Sequence, residues 1–406
     1  MQFGFRANHS TETANCFFVE NIKSKLDKGG IVGAIFLDLK KAFDTVNHEI
    51  LIHKMSYFNF STSFTDWMRS YLSNRVQCVR VSGETSPPLR NELGVPQGSV
   101  LGPTLFSIYI NDLPSVCTGC EIQIYADDTV IYVHAKTKAQ AAAKLSDTMV
   151  HVRKWLTCSQ LNLNVKKTVC MFFSKSKTVS HCEPNVCVSG EVIQTVTQFK
   201  YLGIILDSTL SFKHQVRKVV QIIKYNLANF RCIRNCLTTP VAKLYMNTMI
   251  IPHLTYCMTS WTQACSTTLR PILSLHKQAL KVLDKNPKLY HHCNILNKYN
   301  LLSWENILKH SDACQIFKII NGKTPPPLCT FIQQKSSSSR TTRSALRGDC
   351  VVPLRSSSFG QLCFSVRASK LWNQLPVDIR NSASHHTFTH HLKGWLLTIQ
   401  KCEHLS

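Results

Sequence analysis

The chain has 406 residues, enough for two or three domains, and its 44% hydrophobic content with a mean hydropathy of −0.06 fits a soluble globular protein. No apolar run approaches the ~20 residues that a bilayer-spanning helix needs, so no such helix is expected. The 47 Lys+Arg against 23 Asp+Glu leave a net charge of +24, which favours a polyanionic partner, nucleic acid first and an anionic membrane surface second.

In chain order, Gln2-Phe3-Gly4-Phe5-Arg6 is followed by a predicted helix from about Ser10 to Leu26, stopped by Lys28-Gly29-Gly30. No apolar core follows Met1, so no secretory signal is expected, and the 18 scattered cysteines read as reduced thiols of an intracellular protein. The continuous apolar run Ile31–Leu37 predicts a fully buried strand ending at Asp38. Ala42, Val46 and Ile50 then recur at helical spacing, which predicts a direct strand-to-helix transition. Tyr71–Val81 reads as strand, stopped by Ser86-Pro87-Pro88. A loop, Gly94-Val95-Pro96-Gln97-Gly98-Ser99, leads to Pro103, which suits the first turn of a helix through Asp112.

Ile122 to Tyr132 places Ala126-Asp127-Asp128 at or beside a hairpin turn. Two adjacent carboxylates repel each other; the corner is either an ordinary acidic turn or a site for divalent cations. Ala142, Leu145, Met149, Val152 and Leu156 mark an amphipathic helix. Met171–Phe173 and Phe199–Leu206 are expected strands. From Phe212 the chain becomes helical, with Val216, Val219, Val220, Ile223, Leu227 and Phe230 on one face. Six cations (Lys213, Arg217, Lys218, Lys224, Arg231 and Arg234) with no intervening acid favour contact with a phosphate backbone. Further helices are expected at Val241–Met249, Ile272–Leu283 and Trp304–Ile320. A basic low-complexity linker runs over Lys335–Arg343, and the last segment mixes strand-like pieces with a closing helix around Phe388–Leu396. Cys117-x-x-Cys120 and Cys232-x-x-x-Cys236 lack a second pair for a zinc site, and His385, His386, His390 and His391 lack companion ligands.

Transfer of a nucleotide to a nucleic-acid end requires two divalent ions held by carboxylates on rigid strand ends. Asp38 and Asp127-Asp128 supply these if their strands are neighbours. Phe36-Leu37-Asp38-Leu39-Lys40-Lys41-Ala42-Phe43-Asp44, Gly94-Val95-Pro96-Gln97-Gly98-Ser99-Val100-Leu101-Gly102-Pro103 and Tyr125-Ala126-Asp127-Asp128 resemble, in order and spacing, the palm motifs of reverse transcriptases. More narrowly they resemble those of LINE-type (non-LTR) retrotransposons. The likeness continues through Leu161–Thr168, Phe199–Ile204 and Leu371-Trp372-Asn373-Gln374-Leu375-Pro376.

This resemblance implies an α+β right-hand polymerase: partial fingers and palm over 1–207, a helical thumb and following helices over 208–330, and a basic linker with a small C-terminal extension over 331–406. It implies RNA-directed DNA synthesis with two Mg²⁺ ions, Mn²⁺ being a substitute, on template RNA and a DNA primer with dNTPs. A nuclear location, or a cytoplasmic ribonucleoprotein, follows, with no membrane partner. By the same resemblance Asp38 and Asp127 are direct metal ligands, and Asp128 is a weaker one. Phe43 is the steric gate against a 2′-hydroxyl, while Gln97, Gly98, Tyr125 and Ala126 lie at the nucleotide. Lys167 protonates pyrophosphate; Tyr201 and Gly203 belong to the primer-gripping hairpin. Asp44 is expected to serve a helix start or a local hydrogen bond.

Set against the family pattern, the chain corresponds to the back two-thirds of a polymerase module, without earlier fingers segments, an upstream endonuclease or a Cys/His knuckle. The alternative reading is a catalytically silent, nucleic-acid-binding remnant. A group II intron maturase-like protein or an RNA-templated RNA polymerase shares the acidic motifs, but Phe43 and the C-terminal match argue against both.

Overall fold

A computed structural model describes residues 1–175, 184–188, 190–285, 291–335, 344 and 347–400. The chain forms two compact units: Met1–Ser10 with Gly30–Thr197, and Thr11–Gly29 with Gln198–Ser406. The helix over Thr11–Asp27 (α1) is therefore part of the second unit. Most of the basic linker expected at 335–343 lies outside the described residues.

The first unit is built on a six-stranded sheet. Its strands are β1 (Ile31–Leu37), β2 (Glu121–Tyr125), β3 (Asp128–Ala135), β4 (Val169–Phe173), β5 (Val186–Val188) and β6 (Glu191–Thr195). Their order is β2-β3-β1-β4-β6-β5, with β1 antiparallel to both β3 and β4 and β6 parallel to β4. β1 is central and six of its seven residues are buried, as its unbroken apolar run requires.

Four helices accompany the sheet: α2 (His48–Tyr57), α3 (Thr62–Leu72), α4 (Gly102–Ile110) and α5 (Lys138–Cys158). Thr137 caps α5 by accepting from Gln140 N at 3.3 Å, and Ala141, Ala142, Leu145, Met149, Val152 and Leu156 are buried in the common core.

Two local expectations fail. Residues 38–47 are not helical: Lys41 takes φ 47°, and the helix waits for Asn47, whose side chain accepts from Ile50 N at 3.0 Å. Tyr71–Val81 is not a strand either. Phe64, Met68, Tyr71 and Leu72 repeat at helical spacing behind the Ser61 cap, and only short ladders follow, Val76–Gln77 with Leu89–Arg90 and Arg80–Val81 with Glu84–Thr85.

In the second unit, the expected single strand at Phe199–Leu206 is a hairpin, β7 (Gln198–Tyr201) and β8 (Ile204–Asp207). The carboxylate of Asp207 then accepts from Thr209 N, Ser211 N and Phe212 N at 3.2, 3.0 and 2.7 Å, shaping the corner before α6 (Lys213–Ile233). Further helices include α7 (Thr239–Tyr245), α8 (Ser266–Leu283), α9 (His292–Tyr299) and α10 (Trp304–Ile320). The tail forms α11 (Phe364–Gln374) and α12 (His385–Thr398). It is largely helical, not strand-like, because Phe364, Leu371, Trp372, Phe388 and Leu392 share one core with Ile316 and Phe317 of α10. The tail is also tied to α1: Arg355 pairs with Glu20 at 3.3 Å, and Asp27 accepts from Ser356 N at 3.0 Å. The C-terminal segment is thus part of the second unit's core. Among the described residues the cysteines are free thiols, and no helix is long and apolar enough to cross a membrane.

Candidate active site

The acidic residues converge through strand register. In the β1–β3 pairing Leu37 lies opposite Thr129, so the next rung sets Asp38 opposite Asp128. In the β2–β3 hairpin Tyr125 pairs with Asp128, leaving Ala126 and Asp127 as its two-residue turn. Ala126 takes φ 56°, a left-handed conformation that a non-glycine residue adopts only when neighbours fix it.

Those neighbours are residues 1–4, for which the sequence offered no role. Phe3 N donates to Ile124 O at 2.7 Å and Ile124 N donates to Met1 O at 2.8 Å, extending the sheet edge beside β2. The buried side chain of Gln2 accepts from both Gly4 N at 2.7 Å and Ala126 N at 3.2 Å. Gly4 has no room for a side chain, since a Cβ would meet Ala126 N at 2.6 Å. No turn or periodicity signal in the sequence announces this brace.

Asp127 and Asp128 are exposed, Asp38 and Tyr125 half-buried. Partial shielding from water, then the charges of Asp127 and Asp38, push the Asp128 carboxyl up to about 6. The cluster therefore carries mutual repulsion. Its donors are hard carboxylate oxygens, and no protein cation forms an ion pair with any of the three among the described residues. In donor chemistry this set suits Mg²⁺ or Mn²⁺, although the ligand atoms of the three residues do not all lie within 4.8 Å of one another.

Beyond β1 the chain pairs with the segment after α5. Lys40 N donates to Asn162 O and Asn164 N to Asp38 O, each at 2.8 Å, and Asn164 Nδ2 donates to Asp38 Oδ2 at 2.8 Å. Lys167 lies on the following turn, its N–H bonded to Asn164 O at 3.1 Å, and its side chain is exposed.

Phe43 is half-buried, stacked on Phe106 with centroids 4.3 Å apart and edge-on to Phe5 at 6.5 Å. Its ring is thereby held in a fixed attitude. Asp44 makes a local hydrogen bond: Gln97 Nε2 donates to its Oδ1 at 2.6 Å. That bond joins the Gln97 loop to the segment after β1. Gly98 takes φ 82° and faces open space, so it serves the turn's conformation; no protein backbone comes close enough to demand a small residue there.

In the second unit, Leu202 (φ 41°) and Gly203 (φ 86°) form the β7–β8 turn. Leu202 O accepts from Tyr256 Oη at 3.0 Å and Asn15 Nδ2 at 3.2 Å, and a Cβ on Gly203 would meet the Tyr256 ring at 2.8 Å. Tyr201 is 2% exposed and packs against Phe18, so its ring is a core element; Leu202 is buried too, and only Gly203 of the turn is partly exposed.

Along α6, Lys213, Arg217, Lys224 and Arg231 are exposed and Lys218 is half-buried. Arg234 corrects the expected row of phosphate contacts. It is 5% exposed, and its guanidinium donates to Val282 O, Leu283 O and Leu237 O at 3.1, 2.6 and 3.0 Å. It caps the carboxyl end of α8, a role that a run of cations along the sequence cannot reveal.

A central strand delivering one carboxylate beside a hairpin that delivers two is the layout of a polymerase palm. Residues 1–206 match the family described as reverse transcriptase (RNA-dependent DNA polymerase), and the chain belongs to that family. It is 29% identical, over 70% of its length, to a probable RNA-directed DNA polymerase from transposon BS of Drosophila melanogaster. It is 28% identical, over 70% of its length, to the RNA-directed DNA polymerase from mobile element jockey of Drosophila funebris. A probable RNA-directed DNA polymerase from transposon X-element of Drosophila melanogaster is 25% identical over 80% of the chain. The alignments span 32%, 32% and 37% of those proteins, so the chain spans about a third of the length of the curated relatives it matches. Among solved structures, apo telomerase from Candida tropicalis aligns with 73% of this chain and 49% of its own, at 12% identity and a TM-score of 0.38.

Proposed function

We propose that this chain is the polymerising part of a LINE-type reverse transcriptase, extending a DNA primer on an RNA template with dNTPs. The carrying observation is the convergence of Asp38, Asp127 and Asp128, whose mutual repulsion makes an uncompensated acidic site.

Asp38 and Asp127 would hold two Mg²⁺ ions, with Asp128 contributing less directly. When bound, such ions activate the primer 3′-oxygen and neutralise charge on the leaving pyrophosphate. The chain's own residues do the positioning. Gln2 and Gly4 hold the Ala126 turn, and with it Asp127. Phe43, braced by Phe106 and Phe5, offers a rigid ring against which a 2′-hydroxyl would clash, favouring dNTPs over ribonucleotides. The Gln97-Gly98 loop, tied to Asp44, lies beside the templating pair. Lys167, exposed and without an ion-pair partner among the described residues, is free to donate a proton to pyrophosphate. The turn at Leu202-Gly203 and the exposed cations of α6 would follow the primer and the duplex backbone.

Primer extension by the 406-residue chain on an RNA template tests this reading. Extension should require Mg²⁺ or Mn²⁺ and fall by roughly a thousandfold or more in Asp127→Ala. Salt-sensitive RNA binding with no extension under either ion would reject the enzymatic reading in favour of a binding remnant.

A further inference from the structure

We infer that Asn164 is a positioning residue for the metal-binding carboxylate of Asp38, and that its turn couples this carboxylate to Lys167. The inference rests on the polymerase reading but is carried by hydrogen bonds that neither the sequence motifs nor the comparisons assign.

Asp38 lies just beyond the last sheet residue of β1, where a carboxylate would ordinarily be free to rotate. Three bonds remove that freedom. Asn164 N donates to Asp38 O at 2.8 Å and Asp38 N donates to Thr168 Oγ1 at 3.2 Å, which fixes the backbone. Asn164 Nδ2 donates to Oδ2 at 2.8 Å, which restrains the carboxylate and leaves Oδ1 without a hydrogen-bond partner among the described residues. The opposite amide orientation would set two oxygens against each other, so the chemistry dictates the donor.

Asn164 O in turn accepts from Lys167 N at 3.1 Å and Thr168 N at 2.9 Å, and Thr168 is fully buried. One residue thus orients the metal ligand with its side chain and holds the Lys167 turn with its carbonyl. An amide suits this position because it is neutral. A lysine here would compete with a divalent ion for Asp38, and an aspartate would add a fourth negative charge to the cluster.

The test uses the full chain with Asn164→Ala, Asn164→Ser, whose hydroxyl is too short to span the gap, and Asn162→Ala as an exposed control on the same turn. Mn²⁺ binding is measured by the free-ion EPR signal in the absence of nucleic acid, alongside Mg²⁺ titration of primer extension and the thermal midpoint. Both Asn164 variants should bind Mn²⁺ roughly 10- to 100-fold more weakly, the range of a lost hydrogen bond to a charged group. They should need correspondingly more Mg²⁺ for half-maximal extension and recover activity at high Mg²⁺, with an unchanged KM for dNTP; Asn162→Ala should match wild type. Wild-type Mn²⁺ affinity in Asn164→Ala or Asn164→Ser would overturn the inference, as would a loss of activity that high Mg²⁺ leaves unrepaired while the thermal midpoint holds. Failure of the wild-type chain to extend a primer would reject the polymerase reading instead, and the Mn²⁺ measurement would still decide the role of Asn164.

Discussion

The acidic corner of the first compact unit and the buried acids of the second treat charge in opposite ways. In the first, Asp38, Asp127 and Asp128 gather at the end of a sheet with no protein cation paired to them among the described residues. In the second, several acids are withdrawn from water and answered by an arginine. Asp312 receives both arms of Arg367 at 3.0 and 3.1 Å, and Asp349 pairs with Arg380 at 2.9 Å. Glu20 is fully buried and bonded by Arg355 and Ser365. Satisfied charge builds scaffold; charge left open awaits a ligand.

Arg367→Ala should show the contrast most strongly. Burial already pushes the Asp312 carboxyl up and Arg367 pulls it down, so removing the arginine leaves a buried acid unpaired. Unfolding by denaturant should report a loss of about 3–5 kcal/mol, whereas alanine at Asp127 or Asp128, whose carboxylates accept no hydrogen bond among the described residues, should not destabilise the metal-free protein. Arg234→Ala should cost about 2–3 kcal/mol because the carbonyls of Val282, Leu283 and Leu237 lose a charged donor. It should leave the salt dependence of RNA binding unchanged.

Asp128→Asn should act in the other direction. With its folded-state carboxyl at about 6, above the ordinary 3.8, Asp128 costs stability wherever it is ionised in the fold. The cost is full above about pH 6 and fades as pH falls toward 4. The asparagine variant should therefore be more stable at pH 7.5, by roughly 1 kcal/mol or less given solvent screening, and should lose that advantage near pH 4 or when Mg²⁺ is added. The smallest effects belong to Arg217→Ala and Lys224→Ala. Stability should stay within about 0.5 kcal/mol of wild type, while the slope of log affinity for RNA against log salt falls by about 1 per residue.

What the sequence made legible follows from the length scale of each signal. β1, the acidic hairpin and α5 each carry a continuous pattern of burial that local periodicity records. Asp38, Asp127 and Asp128 could be named from motif order, and the strand pairing they needed is present. Residues that hold the site in shape were harder to see. Gln2 and Asn164 are ordinary polar residues whose meaning arises 124 and 126 positions away. Arg234 continues a run of cations along the chain, yet the helix end it caps lies 48–49 residues downstream. Residues 38–47 carried helical spacing because Ala42 and Val46 are buried, but the bond from Asn164 to the Asp38 carbonyl and the positive φ of Lys41 hold the segment as a turn. Local pattern gives elements; the long-range polar bonds that aim a side chain leave no period behind.

The brace at residues 1–4 has a consequence for the order of assembly. Phe3 and Ile124 are 121 positions apart, so the left-handed turn at Ala126 cannot be locked by local folding of its hairpin. Closing so large a loop is entropically expensive and slow compared with forming the hairpin itself. The brace therefore forms after the hairpin, together with the pairings of β1 with β3 and β4, which close loops of comparable length. Until that closing step the hairpin holds two like charges in a turn its own residues do not favour. Competence to bind metal should then appear in refolding with the long-range assembly of the sheet, later than the β2–β3 hairpin.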